Sequence, residues 1–341
     1  MVKSEKVDAA AKLHDATESL AMISRPLLLL FAAVLAATSL LHAEPPPANA
    51  AAFLRTADVS AGARGLQTAS TEYRPASGAG PSVWLIGVAH LGTAEYFQSI
   101  QQRLDRQTVV LYEGIGLHDV KQAPGSMKKD AGIQTTLANA LGLKFQLDAI
   151  DYRRASFINS DLHVPELQQE VKKRGVETAG SSGDETFNQL VDALQGTGPM
   201  GGALTQMIGL LGSSPQMREM TKTMLIEVLG QAGELMAMAK NLSPDMKDLF
   251  DVILTQRNAV VMTDLRAQLA KHKPDESIAI FYGAAHMDEI AQRLRDELHY
   301  TPVKTEWDTA FSADASQSGI NPAQVRVMID LMRSQLQPPA R

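Results

Sequence analysis

Two segments far apart in the chain repeat one pattern, Gly87-Val88-Ala89-His90 and Gly283-Ala284-Ala285-His286. Each closes a short apolar run, Ser82–Ile86 in the first case and Glu276–Tyr282 in the second. Each then opens onto a helical pattern, Ala94–Leu104 and Asp288–Leu298, and on the first of these Phe97, Ile100 and Leu104 fall on one face. A short continuous apolar run suits a strand buried on both faces. Strand followed by amphipathic helix is the unit from which α/β sheets are built. Gln107–Tyr112 reads as another buried strand, closed by Glu113-Gly114; Lys144–Ile150 reads as a third, ending near Asp151; Pro302–Trp307 adds an edge strand. The alternation predicts an α/β (α+β) fold, a mixed but largely parallel central sheet flanked by helices.

The rest of the chain divides around this core. Residues 27–41 are apolar and uncharged, follow Arg25, and end shortly before Glu44 and three prolines. A bilayer-spanning helix needs about 20 such residues, whereas a secretory signal needs about 7–15. Residues 1–43 therefore read as a signal peptide, with Met22 as the more ordinary start, Ala43 or Ala50 as cleavage positions, and an uncleaved anchor as the alternative. A periplasmic or secreted protein is expected. Residues 44–81, rich in Ala, Pro, Gly and Ser, read as a linker with a loose strand or hairpin. Residues 82–310 form the expected domain. Within it, about 164–256 reads as a helical insertion over one end of the sheet, because Met and Leu recur at helical spacing from Met207 to Met236. Residues 311–341 are expected to form a C-terminal helix and tail.

Composition removes several functions. With 32 basic against 38 acidic residues the net charge is −6, which supplies no basic stripe to displace counterions from phosphates, so no nucleic-acid partner is expected. Cysteine is absent, so there is no disulfide framework, thiolate metal site or cysteine nucleophile. No Gly-x-Ser-x-Gly elbow and no phosphate-binding glycine loop with lysine occurs.

Ligands of open α/β sheets bind beyond the carboxyl ends of the strands. His90, His286, Glu113 and Asp151 all fall at that level of the expected sheet. Two imidazoles with one or two carboxylates suit a divalent transition ion (Mn, Co or Zn), and the glycines are expected to let the chain turn sharply there. Two blander readings stand beside this one. In one, each histidine only satisfies backbone groups in a capping turn; in the other, paired helix N-termini bind phosphate with Arg257 as clamp. Asp148 and Asp151 point to opposite faces of an extended strand, and Asp151 is the one favoured for the crevice. His163, beside Asp161, reads as a solvated loop residue, and His118, His272 and His299 as surface residues.

Gly87-Val-Ala-His90, Val110-Leu-Tyr-Glu113, Gln256-Arg257-Asn258 before the helix Ala259–Leu269, and Gly283-Ala-Ala-His286 together resemble the TraB/GumN/Tiki superfamily in order and spacing. That group is related to erythromycin esterases and to haem-binding iron-regulated lipoproteins. The likeness covers roughly Ser82 to Trp307; the Met- and Gly-rich helical segment departs from it. The resemblance implies that His90, Glu113 and His286 are site residues supported by Arg257 and Asn258, and its Tiki branch consists of metal-dependent proteases.

Two functions are therefore expected as alternatives. One is a metal-dependent hydrolase of peptidase or esterase type, acting on a peptide or small molecule. Its metal would be held by His90, Glu113 and His286, with Glu113 or Asp151 as general base and Arg257 pairing with substrate or developing oxyanion charge. The other is a non-catalytic, envelope-associated protein that binds haem, a peptide or another ligand.

Overall fold

The computed structural model describes residues 53–114, 132–163, 198–231 and 251–319, with isolated positions among 166–173 and 321–327. The expected signal peptide, His118, and much of the expected insertion and C-terminal tail lie outside the described residues. Among the described residues there are nine strands: β1 (Leu54–Ser60), β2 (Ala63–Pro75), β3 (Ser82–Val88), β4 (Leu91–Gly92), β5 (Val109–Tyr112), β6 (Lys144–Phe145), β7 (Phe157–Asn159), β8 (Ser277–Gly283) and β9 (Tyr300–Asp314). The helices used below are α1 (Ala94–Leu104), α2 (Ile133–Leu141), α3 (Gln146–Ala149), α4 (Gly198–Leu211), α5 (Pro215–Gly230), α6 (Arg257–Leu269) and α7 (Met287–Leu298).

Seven strands form one mixed sheet, and β4 and β6 pair only with each other. The run β3–β8–β5–β7 is parallel throughout. Antiparallel β2 joins it at β3. One edge of β2 is covered along its length by β9; the other is shared, β1 taking Ala63–Thr68 and β3 taking Ser70–Tyr73.

Side-chain alternation along these strands makes two cores. On β8, Ile278, Ile280 and Tyr282 face α6 and α7, where Val261, Met262, Leu265, Ile290 and Leu294 meet them. Ala279 and Phe281 face the other side, against Phe97, Ile100 and Leu104 of α1. Burial on both faces explains the uninterrupted apolar sequence of β3, β5 and β8. The described part of the expected insertion packs on the α1 side, with Ile208 and Leu211 of α4 and Leu225 and Ile226 of α5 in that core. Helix α5 starts where Ser214 caps Met217 N ahead of Pro215 at the first turn.

Three expectations need correction. Residues 54–75 do form a hairpin, β1 with β2, but not a loose one leading into the core: β2 is interior to the sheet, and Thr68, Ala69, Ser70 and Thr71 are essentially buried. Small hydroxylic residues fill a covered strand there, so the hydrophobic signal was weak. The edge strand expected at Pro302–Trp307 is present, paired only with β2 among the described residues, but it is the middle of the 15-residue β9, which continues past residue 310, where a helix and tail were expected, to Asp314. Finally, Lys144–Ile150 is not a strand of the main sheet. Only Lys144 and Phe145 pair, with Gly92 and Leu91, and the chain then closes the helical turn α3, with Ile150 N donating to Gln146 O at 3.0 Å. An apolar run of this length cannot be assigned to strand or helix by periodicity alone. The third of the parallel strands in chain order is β7, so the carboxylate beyond its end is Asp161.

Candidate functional site

Helix α1, which follows β3, packs on one face of the sheet, and α7, which follows β8, packs on the other. Since β3 and β8 are neighbours, the chain leaves them in opposite directions. The carboxyl ends of strands that diverge in this way are the usual ligand position in such sheets. His90 and His286 follow these two strands, and Glu113 and Asp161 follow β5 and β7.

At the centre is a buried cation. Arg257 is the first residue of α6, directly after a π-helical stretch, Asp251–Gln256, an irregularity found disproportionately at functional positions. Its guanidinium grips Asp161 side-on, Nε to Oδ1 at 2.9 Å and Nη2 to Oδ2 at 2.8 Å, and Nη2 also donates to Glu113 Oε1 at 2.5 Å. The other oxygen of Glu113 accepts Gly283 N at 2.7 Å. Asp161 further accepts Gly114 N at 2.9 Å and Leu162 N at 2.8 Å. Burial alone would push the Glu113 carboxyl up; Arg257, then His286 and His90, and the Gly283 amide hold it well below the usual carboxylate range. Burial likewise opposes the charge of Arg257, but Asp161 and Glu113 outweigh it and raise its affinity for the proton.

His286 is fully buried. Its Nδ1 lies 2.7 Å from Asn258 Oδ1, and the Asn258 amide is oriented by donation from Nδ2 to Glu289. An amide oxygen only accepts, so Nδ1 carries the proton and the Nε2 lone pair faces Arg257 Nη1 at 3.4 Å and Glu113 Oε1 at 3.7 Å. Burial lowers the His286 pKa to about 3; Glu113 opposes this, and Arg257 and His90 reinforce it. His286 is therefore a neutral imidazole.

His90 is held differently. Its backbone is pinned on both sides: Ala89 N donates to Tyr96 Oη at 3.0 Å, and His90 O accepts Gln146 N at 2.9 Å. Its Nε2 is buried and has no hydrogen-bond partner among the described residues. Burial lowers its pKa, with Glu113 and the Gln146 side chain opposing and Arg257 assisting.

The glycines of the two motifs do not turn the chain in the expected way, since neither has positive φ. Gly87 is required for close approach: a Cβ there would lie 3.2 Å from Ala69 O and 3.3 Å from Ala284 Cα. Gly283 instead contributes its N–H to Glu113.

The structure thus brings His90, Glu113, Arg257, Asn258 and His286 together. It does not bring Asp151, whose carboxylate pairs with the half-exposed Arg153 at 2.8 and 3.0 Å; the helical turn α3 carries it away from the crevice. Asp161 takes the expected place, and its signal was faint because the three-residue β7 is too short to show a pattern. His163 is exposed.

Among the described residues no three His, Asp or Glu side chains are grouped to hold a metal ion. The cation that Glu113 and Asp161 hold is Arg257.

The buried histidines have a consequence for stability. The unfolded chain takes a proton at each near pH 6.5, whereas the fold keeps them neutral. Stability is fully present above pH 6.5 and is lost as pH falls from there toward 3, at about 1.4 kcal/mol per pH unit for His286 alone. Glu113, depressed in the fold, adds a further loss below pH 4.5. Asp288, which burial raises to about 6, works the other way between pH 6 and 3.8. Urea midpoints measured from pH 7.5 to 4.5 should fall, and His286→Gln should flatten that fall; a midpoint independent of pH would show that these imidazoles are charged in the fold.

Compared with known proteins, the chain matches no family model, no curated sequence and no solved structure.

Proposed function

We propose that this protein is an exported hydrolase, of peptidase or esterase type, working at the crevice beyond β3 and β8 with His90 as general base. The observation that carries this reading is the His90 Nε2, buried, without a geometrically formed hydrogen bond among the described residues, and with burial favouring its neutral form, beside a rigid ion cluster at the switch point of the sheet. An unsatisfied buried nitrogen costs about 1–3 kcal/mol, a cost that a ligand-binding atom repays in function. The resemblance of the same residues to the TraB/GumN/Tiki superfamily supports the class, and the apolar run at residues 27–41 supports a periplasmic or secreted location.

In this reading His90 Nε2 accepts a proton from water as the water oxygen attacks a substrate carbonyl, then returns it to the leaving group. Glu113 is not the base: both its oxygens are engaged and its carboxylate is stabilised as the anion. Its role, with Asp161, is to fix Arg257, whose charge sets the field that favours negative charge developing on the substrate oxygen. A divalent ion at His90, Glu113 and His286 is a separate proposal that rests on the resemblance.

The engagement of Glu113 also favours a second reading, an envelope protein that binds haem, a peptide or another ligand without turnover. One experiment separates them. Full-length protein from the envelope fraction is assayed on p-nitrophenyl acetate and a fluorogenic peptide library, with and without chelator, alongside metal analysis. Hydrolysis that His90→Gln abolishes and chelator does not affect is expected. Loss with chelator, together with bound metal, establishes the metal-dependent form. Undiminished hydrolysis by His90→Gln overturns the base assignment, and no hydrolysis with retained ligand leaves the binding protein.

A further inference from the structure

The proton of His286 is placed by residues that lie outside the ion cluster. His286 and Asn258 are 0% and 1% exposed, whereas Glu289 and Arg293, one turn apart on α7, are only partly buried. Glu before Arg at this spacing, close to a helix N-terminus, is the favourable order. Both Arg293 bonds go to one oxygen of Glu289, Nε to Oε1 at 2.8 Å and Nη2 to Oε1 at 2.5 Å. The other oxygen, Oε2, accepts Asn258 Nδ2. A guanidinium only donates and an ion-paired carboxylate only accepts, so each contact dictates the next. Oε1 belongs to Arg293, Oε2 takes the amide nitrogen, and the amide oxygen is left for His286 Nδ1 at 2.7 Å. Asn258 makes no other side-chain bond among the described residues, so nothing else there fixes which way its amide points.

We propose that Glu289 is a positioning residue of the site: through Asn258 it holds His286 as the Nδ1–H tautomer, so that an acceptor and not a donor faces Arg257 and Glu113. For its effect on turnover the inference rests on the hydrolase reading above. The opposite tautomer would place an N–H 3.4 Å from Arg257 Nη1, donor against donor, and 3.7 Å from Glu113 Oε1. That N–H would compete with the guanidinium for the same carboxylate oxygen. Arg257 would then lose the fixed place from which its charge favours negative charge developing on the substrate.

The order of donors predicts an inversion. In Glu289→Gln the amide oxygen must stay with Arg293, which offers only N–H groups, so the amide nitrogen replaces Oε2. Asn258 then meets a donor and turns its oxygen to it, which sets Nδ2 against His286 Nδ1. Nδ1 becomes the acceptor, and the proton moves to Nε2. In Glu289→Gln/Arg293→Met nothing retains the glutamine oxygen, which can turn to Asn258 Nδ2 and restore the original tautomer.

The test uses the full chain with isotope-labelled histidine at neutral pH. Ring nitrogen–proton correlations report the tautomer, and the His286 signals are those missing from His286→Ala. Nδ1–H is expected in the wild type, Nε2–H in Glu289→Gln, and Nδ1–H again in the double variant. On p-nitrophenyl acetate Glu289→Gln should lower kcat about 10- to 100-fold, the scale on which partners that orient a site histidine act, and the double variant should recover most of it. A loss of packing alone would not be reversed by a second substitution. Nδ1–H retained in Glu289→Gln, or a double variant that stays inverted, overturns the inference. Inversion with wild-type kcat, while His90→Gln is inactive, overturns the positioning role and leaves the hydrolase reading standing. Activity retained by His90→Gln removes the hydrolase reading itself, and with it the effect on turnover; the tautomers, read without turnover, still decide whether Glu289 sets the state of His286.

Discussion

Arg257→Met is expected to destabilise the protein by about 3–5 kcal/mol, the cost of removing one partner from a buried ion cluster. A domain's whole stability is about 5–15 kcal/mol, so this change alone takes a large fraction of it. The lost packing is small, because methionine fills most of the arginine volume. The cost lies in what stays behind. Glu113 and Asp161 keep two negative charges in the interior with their cation gone, although Gly283 N, Gly114 N and Leu162 N still donate to them. Neutralising the stranded carboxylates should therefore restore part of the loss. In urea unfolding, Arg257→Met/Asp161→Asn is expected to be more stable than Arg257→Met alone, with a coupling energy at the upper end of the roughly 0.5–3 kcal/mol range for contacting pairs. Strict additivity would mean that the guanidinium does not neutralise Asp161, and the account of the site as an ion cluster would fail.

How far the sequence reaches can be seen at these same residues. The strands β3, β5 and β8 were readable because burial on both faces demands unbroken apolar runs, and the catalytic candidates beyond them followed from where those runs stop. Thr68, Ser70 and Thr71 show the opposite case. They lie within a covered strand, but their hydroxyl groups lower the hydrophobicity on which any reading depends; one of them, Thr68, is satisfied by a partner 28 positions away, Tyr96. Asp161 was noticed only as a possible supporting neighbour of His163 for a related reason: its pairing with Arg257 spans 96 positions, and nothing local marks that partner. The exchange of Asp151 for Asp161 turned on whether residues 146–149 form a strand or a helical turn. The pairing of Leu91 with Phe145 settles that, and no window along the sequence contains it.

The sequence also presents His90 and His286 as equivalents, and here the structure separates them into a larger and a smaller effect on folding. His286→Ala is expected to cost about 1–3 kcal/mol, because it leaves Asn258 Oδ1 buried without its donor and empties a fully covered volume against Tyr282, whose ring centroid is 5.4 Å away. His90→Gln breaks no hydrogen bond at Nε2, since none exists there among the described residues, and it leaves the backbone anchors at Ala89 N and His90 O in place. Its melting temperature should stay within a few degrees of wild type, and chemistry should be where the loss appears: removal of a general base lowers kcat about 10²- to 10⁴-fold. Unfolding curves and kcat measured on the same preparations decide the matter. Should His90→Gln unfold early while His286→Ala melts normally, the assignment is reversed: the unpartnered nitrogen would be a packing residue, and the imidazole held by Asn258 and facing Arg257 would be the one to test as base.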